Sequence, residues 1–200
     1  MTQPPVNFSA RAVDNLKALF NIIIGLAIVE SIKAVVGIDL STKILSINKH
    51  NIFFVGALFF TILPFQQGAS RYLDNKYINT ENIKRKMEGI IDFAFFLIEA
   101  IIFYAAALSI TQPKVFFLSL VIVLALDVIW IIFVFFSGGN FKDVWKWLVI
   151  NLVAIFVIAI LLYTPLLNDD TPKWIILSAL CLVRTITDYI STWNFYWPKN

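Results

Sequence analysis

Residues 114–136 read KVFFLSLVIVLALDVIWIIFVFF. After Lys114 this run holds one ionisable side chain, Asp127. At about 1.5 Å per residue it is long enough, as a helix, to cross a hydrocarbon core of about 30 Å. Lipid offers peptide groups no hydrogen-bond partner, and no strand alternation is visible, so the run is expected to be a transmembrane helix. It also poses the functional question, because a carboxyl group inside such a helix must face protein or water.

Five further stretches approach the same length: Leu16–Ile38, Asn51–Gln67, Gly89–Gln112, Lys146–Leu167 and Lys173–Trp197. The second has a short apolar core that ends at Pro64, followed by Gln66, Gln67 and Gly68. It is read as a helix that kinks at Pro64 and runs on to about Asp74. Ahead of the first span, residues 9–17 suggest an amphipathic lead-in at the interface, with Ser9 as its cap. The expected fold is an all-α integral membrane protein, a six-transmembrane-helix bundle, with 1–200 forming one multi-pass membrane domain. Short turns follow from the spacing; the one around Pro113 makes spans three and four antiparallel neighbours.

Composition agrees. Of 200 residues, 60% are hydrophobic and 14% charged, against about 45–50% and about 25% in soluble domains. Mean hydropathy is +0.81. A soluble enzyme, a secreted disulfide scaffold and a disordered tail are excluded by such a balance. The lone Cys181 lies in an apolar run and is read as a packing residue. The lone His50 sits in a polar connection with no Cys, Asp or Glu at ligand spacing, so no metal site and no cofactor is expected. A net charge of +3 reflects topology and anionic lipid, not a nucleic-acid partner.

Orientation follows from lysine and arginine. One side of the six-span layout holds Arg11, Lys17, Arg71, Lys76, Lys84, Arg85, Lys86, Lys142, Lys146 and Lys199; the other holds Lys43, Lys49, Lys114 and Lys173. Both termini are therefore expected in the cytoplasm, in a plasma or bacterial inner membrane. Trp145, Trp147, Trp193 and Trp197 then fall at the inner interface and Trp174 at the outer one. The run from Tyr189 to Pro198 reads as an aromatic belt or, alternatively, as a docking surface. Gly68–Glu88 is the one enlarged connection, with Thr80–Ile83 a candidate cap for a short helix. Its Arg71, Lys84, Arg85 and Lys86 suit a cytosolic partner or anionic headgroups, and are also what the positive-inside rule places there.

The informative charges lie inside the spans, where each costs about 2.5–3.5 kcal/mol at the bilayer centre. Glu30 and Lys33 sit near the outer end, where Lys33 can snorkel. Glu88, Asp92 and Glu99 share one face of span three; Asp92 is expected near the interface. On span six, Ser178, Cys181, Thr185, Asp188 and Thr192 form a stripe, and Arg184 can pair with Asp188 one turn on. An intramembrane polar cluster of Glu99, Asp127, Arg184 and Asp188 is expected, with Asn151 and Asp92 in the same half of the membrane. One arginine cannot neutralise three carboxylates, so at least one acid should be protonated, hydrated or bound to a monovalent cation.

Three uses of that cluster stand open: a clamp that specifies the bundle, a cation or proton path, and a pocket for a lipid or small ligand. No serine–histidine pair, protease aspartate motif, Gly-rich phosphate loop or HExxH pair is present, so no enzymatic activity and no catalytic residue is expected. Two functions follow. One is an oligomeric ion or proton channel-like protein in the bilayer, its path formed between protomers of a homo-oligomer. The other is a membrane sensor or anchor that recruits a cytosolic partner, as in a bacterial stress or defence system, through Gly68–Glu88, Phe141–Trp147 and Tyr196–Asn200.

Overall fold

The structure is a computed structural model and describes residues 8–39, 44–78, 86–137, 141–164 and 171–197. Among the described residues six helices are long and apolar enough to cross a membrane, which marks the chain as a multi-pass membrane protein. They are α1 (Phe8–Val35), α2 (Lys49–Leu73), α3 (Lys86–Leu108), α4 (Pro113–Phe136), α5 (Phe141–Tyr163) and α6 (Thr171–Ser191). A short α7 (Trp193–Tyr196) follows. The helices close into a ring in the order α1–α2–α6–α5–α4–α3, and α2 leans inward to touch α3 and α4 as well. The helices either side of Pro113 are neighbours, as the short turn requires. Leu19, Ile22 and Leu26 of α1, and Val153 and Phe156 of α5, stay exposed, an outer surface suited to acyl chains.

Several boundaries differ from the sequence reading. The lead-in and the first span are one helix from Phe8, so Ser9 lies inside α1 and is not its cap. Val13, Leu16, Phe20, Ile24 and Ala27 all pack inward at helical spacing, and no breaker separates them. At the far end α1 stops at Val35, short of Ile38, where Val35, Val36 and Ile38 with Gly37 make a poor helix sequence. A small hairpin follows, unanticipated in an all-α reading: β1 (Val36–Asp39) pairs antiparallel with β2 (Ile44–Ile47), Val36 opposite Ile47. Asn48 then caps α2, accepting from His50 N at 3.1 Å, and its own N–H donates to Val35 O.

Pro64 sits inside α2, which continues past it to Leu73. Proline has no N–H to offer the carbonyl of Phe60 one turn earlier. The Thr185 hydroxyl of α6 donates to that carbonyl instead, so the defect becomes an α2–α6 contact. Beyond α2 the expected connection opens with a π-helical turn, Asp74–Ile78. Thr80–Ile83, Lys84 and Arg85 lie outside the described residues.

The two ends of the bundle differ. Towards the hairpin the core is rich in aromatic rings: Phe54, Phe116 and Phe117 meet edge to face at 5.0–5.8 Å, and Trp174 stacks on Phe117. At the other end, where α2, α4 and α6 finish and α3 and α5 begin, the interior is polar. Lys17 of α1 is bonded there to Asp74, and Lys146 of α5 to the Ser191 carbonyl that ends α6.

Candidate functional site

The α6 stripe faces inward, as its spacing implies: Ser178, Cys181, Thr185, Asp188 and Thr192 are all buried, and so is Arg184. Arg184 Nη2 lies 3.6 Å from Asp188 Oδ2 one turn on. Its stronger contacts cross to α5, where Asn151 Oδ1 accepts from Nε at 3.1 Å and from Nη2 at 2.7 Å. The Asn151 amide nitrogen donates in turn to Asp127 Oδ2 on α4. An asparagine thus links a guanidinium to a carboxyl group that it does not touch directly. The guanidinium also stands over the Phe65 ring of α2, 5.1 Å from its centre.

Asp188 is the better-served acid. Its Oδ1 accepts from the Trp147 indole at 2.8 Å and from the Thr192 hydroxyl at 3.0 Å, and its Oδ2 from the Tyr196 hydroxyl at 3.3 Å. Glu99 is buried on α3, close enough to Asp127 for their charges to interact. Yet Glu99 Oε1 has no hydrogen-bond partner among the described residues, and neither have Arg184 Nη1 and Ser178 Oγ. Asp127, Arg184, Asp188, Trp130, Trp147 and Tyr196 line a small void between them, with room for a water molecule.

Asp92 does not join this group. It is fully buried among other helices near the start of α3. Its Oδ1 accepts from the Trp130 indole at 2.9 Å; its Oδ2 accepts from Lys76 Nζ at 2.9 Å and from Tyr77 OH at 2.7 Å. Lys76 also donates to Tyr72 OH and lies over both tyrosine rings. The π-helical turn is what brings Lys76 and Tyr77 over α3. Trp130 separates the two clusters, its N–H on Asp92 and its ring on the void.

Of the tryptophans expected at the interfaces, Trp145, Trp193 and Trp197 are exposed, whereas Trp147 and Trp174 are buried in the bundle. The sixth span does not run to Trp197: the helix breaks at Thr192, and α7 turns Tyr196 into the interior at 1% exposure. Trp147 and Tyr196, expected on a docking face, are therefore part of the core. Arg71 lies in the last turn of α2, partly exposed, where a cation suits the helix terminus. Lys86 opens α3. Glu30 and Lys33 pair with each other at 2.7 Å, away from the cluster.

The sequence reading missed Trp130, Trp147, Tyr196, Lys76 and Tyr77 as partners of the acids. A signal existed for Trp130: an indole N–H in mid-span needs an acceptor, and Asp92 lies on the neighbouring span in the same half of the membrane. Among the described residues no group of three His, Cys, Asp or Glu is arranged to hold a metal ion. No family model matches the chain, and no curated protein or solved structure is similar to it.

Proposed function

We propose that this protein moves protons across the membrane, along the acids and amide of its own bundle, without bond-making chemistry on any other substrate. The observation that carries the reading is the buried group Glu99, Asp127, Asn151, Arg184, Asp188 and Tyr196, with one unpartnered atom each on Glu99 and Arg184 and a water-sized void lined by Asp127, Arg184, Asp188 and Tyr196. Hydrogen-bonded side chains and single waters can hand on protons, whereas a void this small has no room for a hydrated cation. The convergence of these groups within one chain favours a path inside each bundle over one between protomers of an oligomer. Lysine and arginine asymmetry supports a cytoplasmic location for the polar end, so protons would enter from the cytoplasm and reach Glu99 near mid-membrane. Beyond Glu99 the Phe54, Phe116 and Phe117 group closes the way, so conduction requires these rings to move.

The test is proton uptake into liposomes holding the purified protein, driven by a potassium diffusion potential and read with a pH-sensitive dye. Wild-type protein should acidify or alkalinise the lumen according to the sign of the potential. Glu99→Gln and Asp127→Asn should lose most of that flux while still inserting and remaining monodisperse. Equal flux from both variants and wild type, or wild-type flux no greater than empty liposomes, sinks the proposal. The reading left standing would then be a membrane anchor that recruits a soluble partner, tested by charge reversal at Arg71, Lys84, Arg85 and Lys86.

A further inference from the structure

The short helix α7 is the least expected element of the fold, and it covers the polar site. Four residues after a break at Thr192 form it, and its Tyr196 is buried between α2 and α6. The Tyr196 hydroxyl has one proton and two acceptors at the same distance, Pro64 O and Asp188 Oδ2, each 3.3 Å away. Pro64 is the interior proline of α2 and Asp188 the last acid of the cluster, so one hydroxyl ties the C-terminal helix to both. Burial, and then the neighbouring Asp188 charge, push the Tyr196 phenol well above its ordinary range, so it remains a donor. Gly68 makes the seat: a Cβ there would lie 3.6 Å from the Trp147 ring and 3.7 Å from the Tyr196 oxygen, so any longer side chain would press on both. Tyr196 and Trp147 both line the void that holds Asp127 and Arg184.

We infer that α7 is a lid over the intramembrane polar site, latched by the Tyr196 hydroxyl, and that its opening admits water to Asp188. Its role as a gate rests on the proton reading; its role as a cover does not. A hydroxyl shared between two acceptors holds the lid weakly enough to open, while the buried ring forms part of the void's wall when it is closed.

The experiment uses the full-length protein in detergent or liposomes, a water-soluble carbodiimide with an amine nucleophile, and mass spectrometry to follow Asp188. Asp92, held by Trp130, Tyr77 and Lys76 at the same end of the bundle, is the internal reference. Tyr196→Phe keeps the ring and removes the latch; losing one hydrogen bond should raise Asp188 labelling about five-fold, with Asp92 unchanged. Gly68→Leu, which wedges the lid from the α2 side, should do the same without touching Tyr196 chemically. Asp188 labelling unchanged in both variants overturns the inference, and so does Asp92 labelling that rises in step, which would mean general loosening. Because the readout is labelling and not flux, a wild-type protein that conducts no protons would sink the proposed function and leave the lid intact.

Discussion

Asp92 and Asp127 are both buried carboxyl groups on adjacent helices of one bundle, and their surroundings differ in one respect. Asp92 receives three donors from three side chains, one of them a lysine, and both its oxygens are used. Asp127 is reached by the Asn151 amide, its cation stands one residue further away, and Glu99 beside it leaves an oxygen unpartnered. An unmade hydrogen bond on a buried polar atom costs about 1–3 kcal/mol. The Asp92 cluster avoids that cost and the Asp127 cluster carries it. Saturation is what a structural clamp achieves; unused hydrogen-bonding capacity is what a site that must bind and release something needs.

The contrast breaks most easily at Arg184. Arg184→Leu leaves Asp188 and Asp127 buried without the guanidinium set between them, and removing one partner of a buried charged group costs about 3–5 kcal/mol. Thermal unfolding in detergent should show a larger loss for this variant than for the amide substitutions at Asp92, Glu99 or Asp127. A variant as stable as wild type would mean that the acids are not charged beside Arg184, and the electrostatic account of the site would fail.

Asp92→Asn sharpens the other side. Asparagine keeps one acceptor oxygen for the Trp130 indole, while its NH2 replaces the oxygen shared by Tyr77 and Lys76, so the charge-assisted contact with Lys76 is lost, for about 2 kcal/mol. The midpoint of unfolding should fall, and proton flux per folded molecule should stay at the wild-type level. Flux that collapses with Asp92→Asn would put both clusters on one path and remove the distinction.

Sequence alone carried the six spans, because hydrophobic length is set by the bilayer and leaves little freedom. It also carried the inward stripe Ser178, Cys181, Thr185, Asp188 and Thr192, since helical spacing fixes a shared face. Pro64 was legible as an interior proline; that Thr185 would satisfy the freed Phe60 carbonyl was not, because it depends on α2 and α6 being neighbours. The termination of α6 was hidden for a different reason. No glycine or proline marks Thr192, and an aromatic run at a helix end has the same composition whether it floats in the headgroups or folds back as α7. The partners of Asp92 were not legible, because Lys76 and Tyr77 arrive from a π-helical turn with no sequence signature.

The smallest expected effect is also the one with the opposite sign. Glu99→Leu replaces a buried carboxyl group lacking one partner by an apolar side chain of similar length, among neighbours such as Ala100 and Phe103 that are already apolar. It removes an unsatisfied oxygen and the acid beside Asp127, and should stabilise the fold by about 1 kcal/mol while abolishing flux. The same exchange at Asp92 strands the indole N–H of Trp130 and the hydroxyl of Tyr77, and must destabilise. Opposite signs at two buried acids on one helix would show that burial alone does not decide whether a carboxyl group supports a fold. If Glu99→Leu destabilises as Asp92→Leu does, Glu99 is a structural acid whose partner is water, and its claim to carry protons falls with its claim to be unsatisfied.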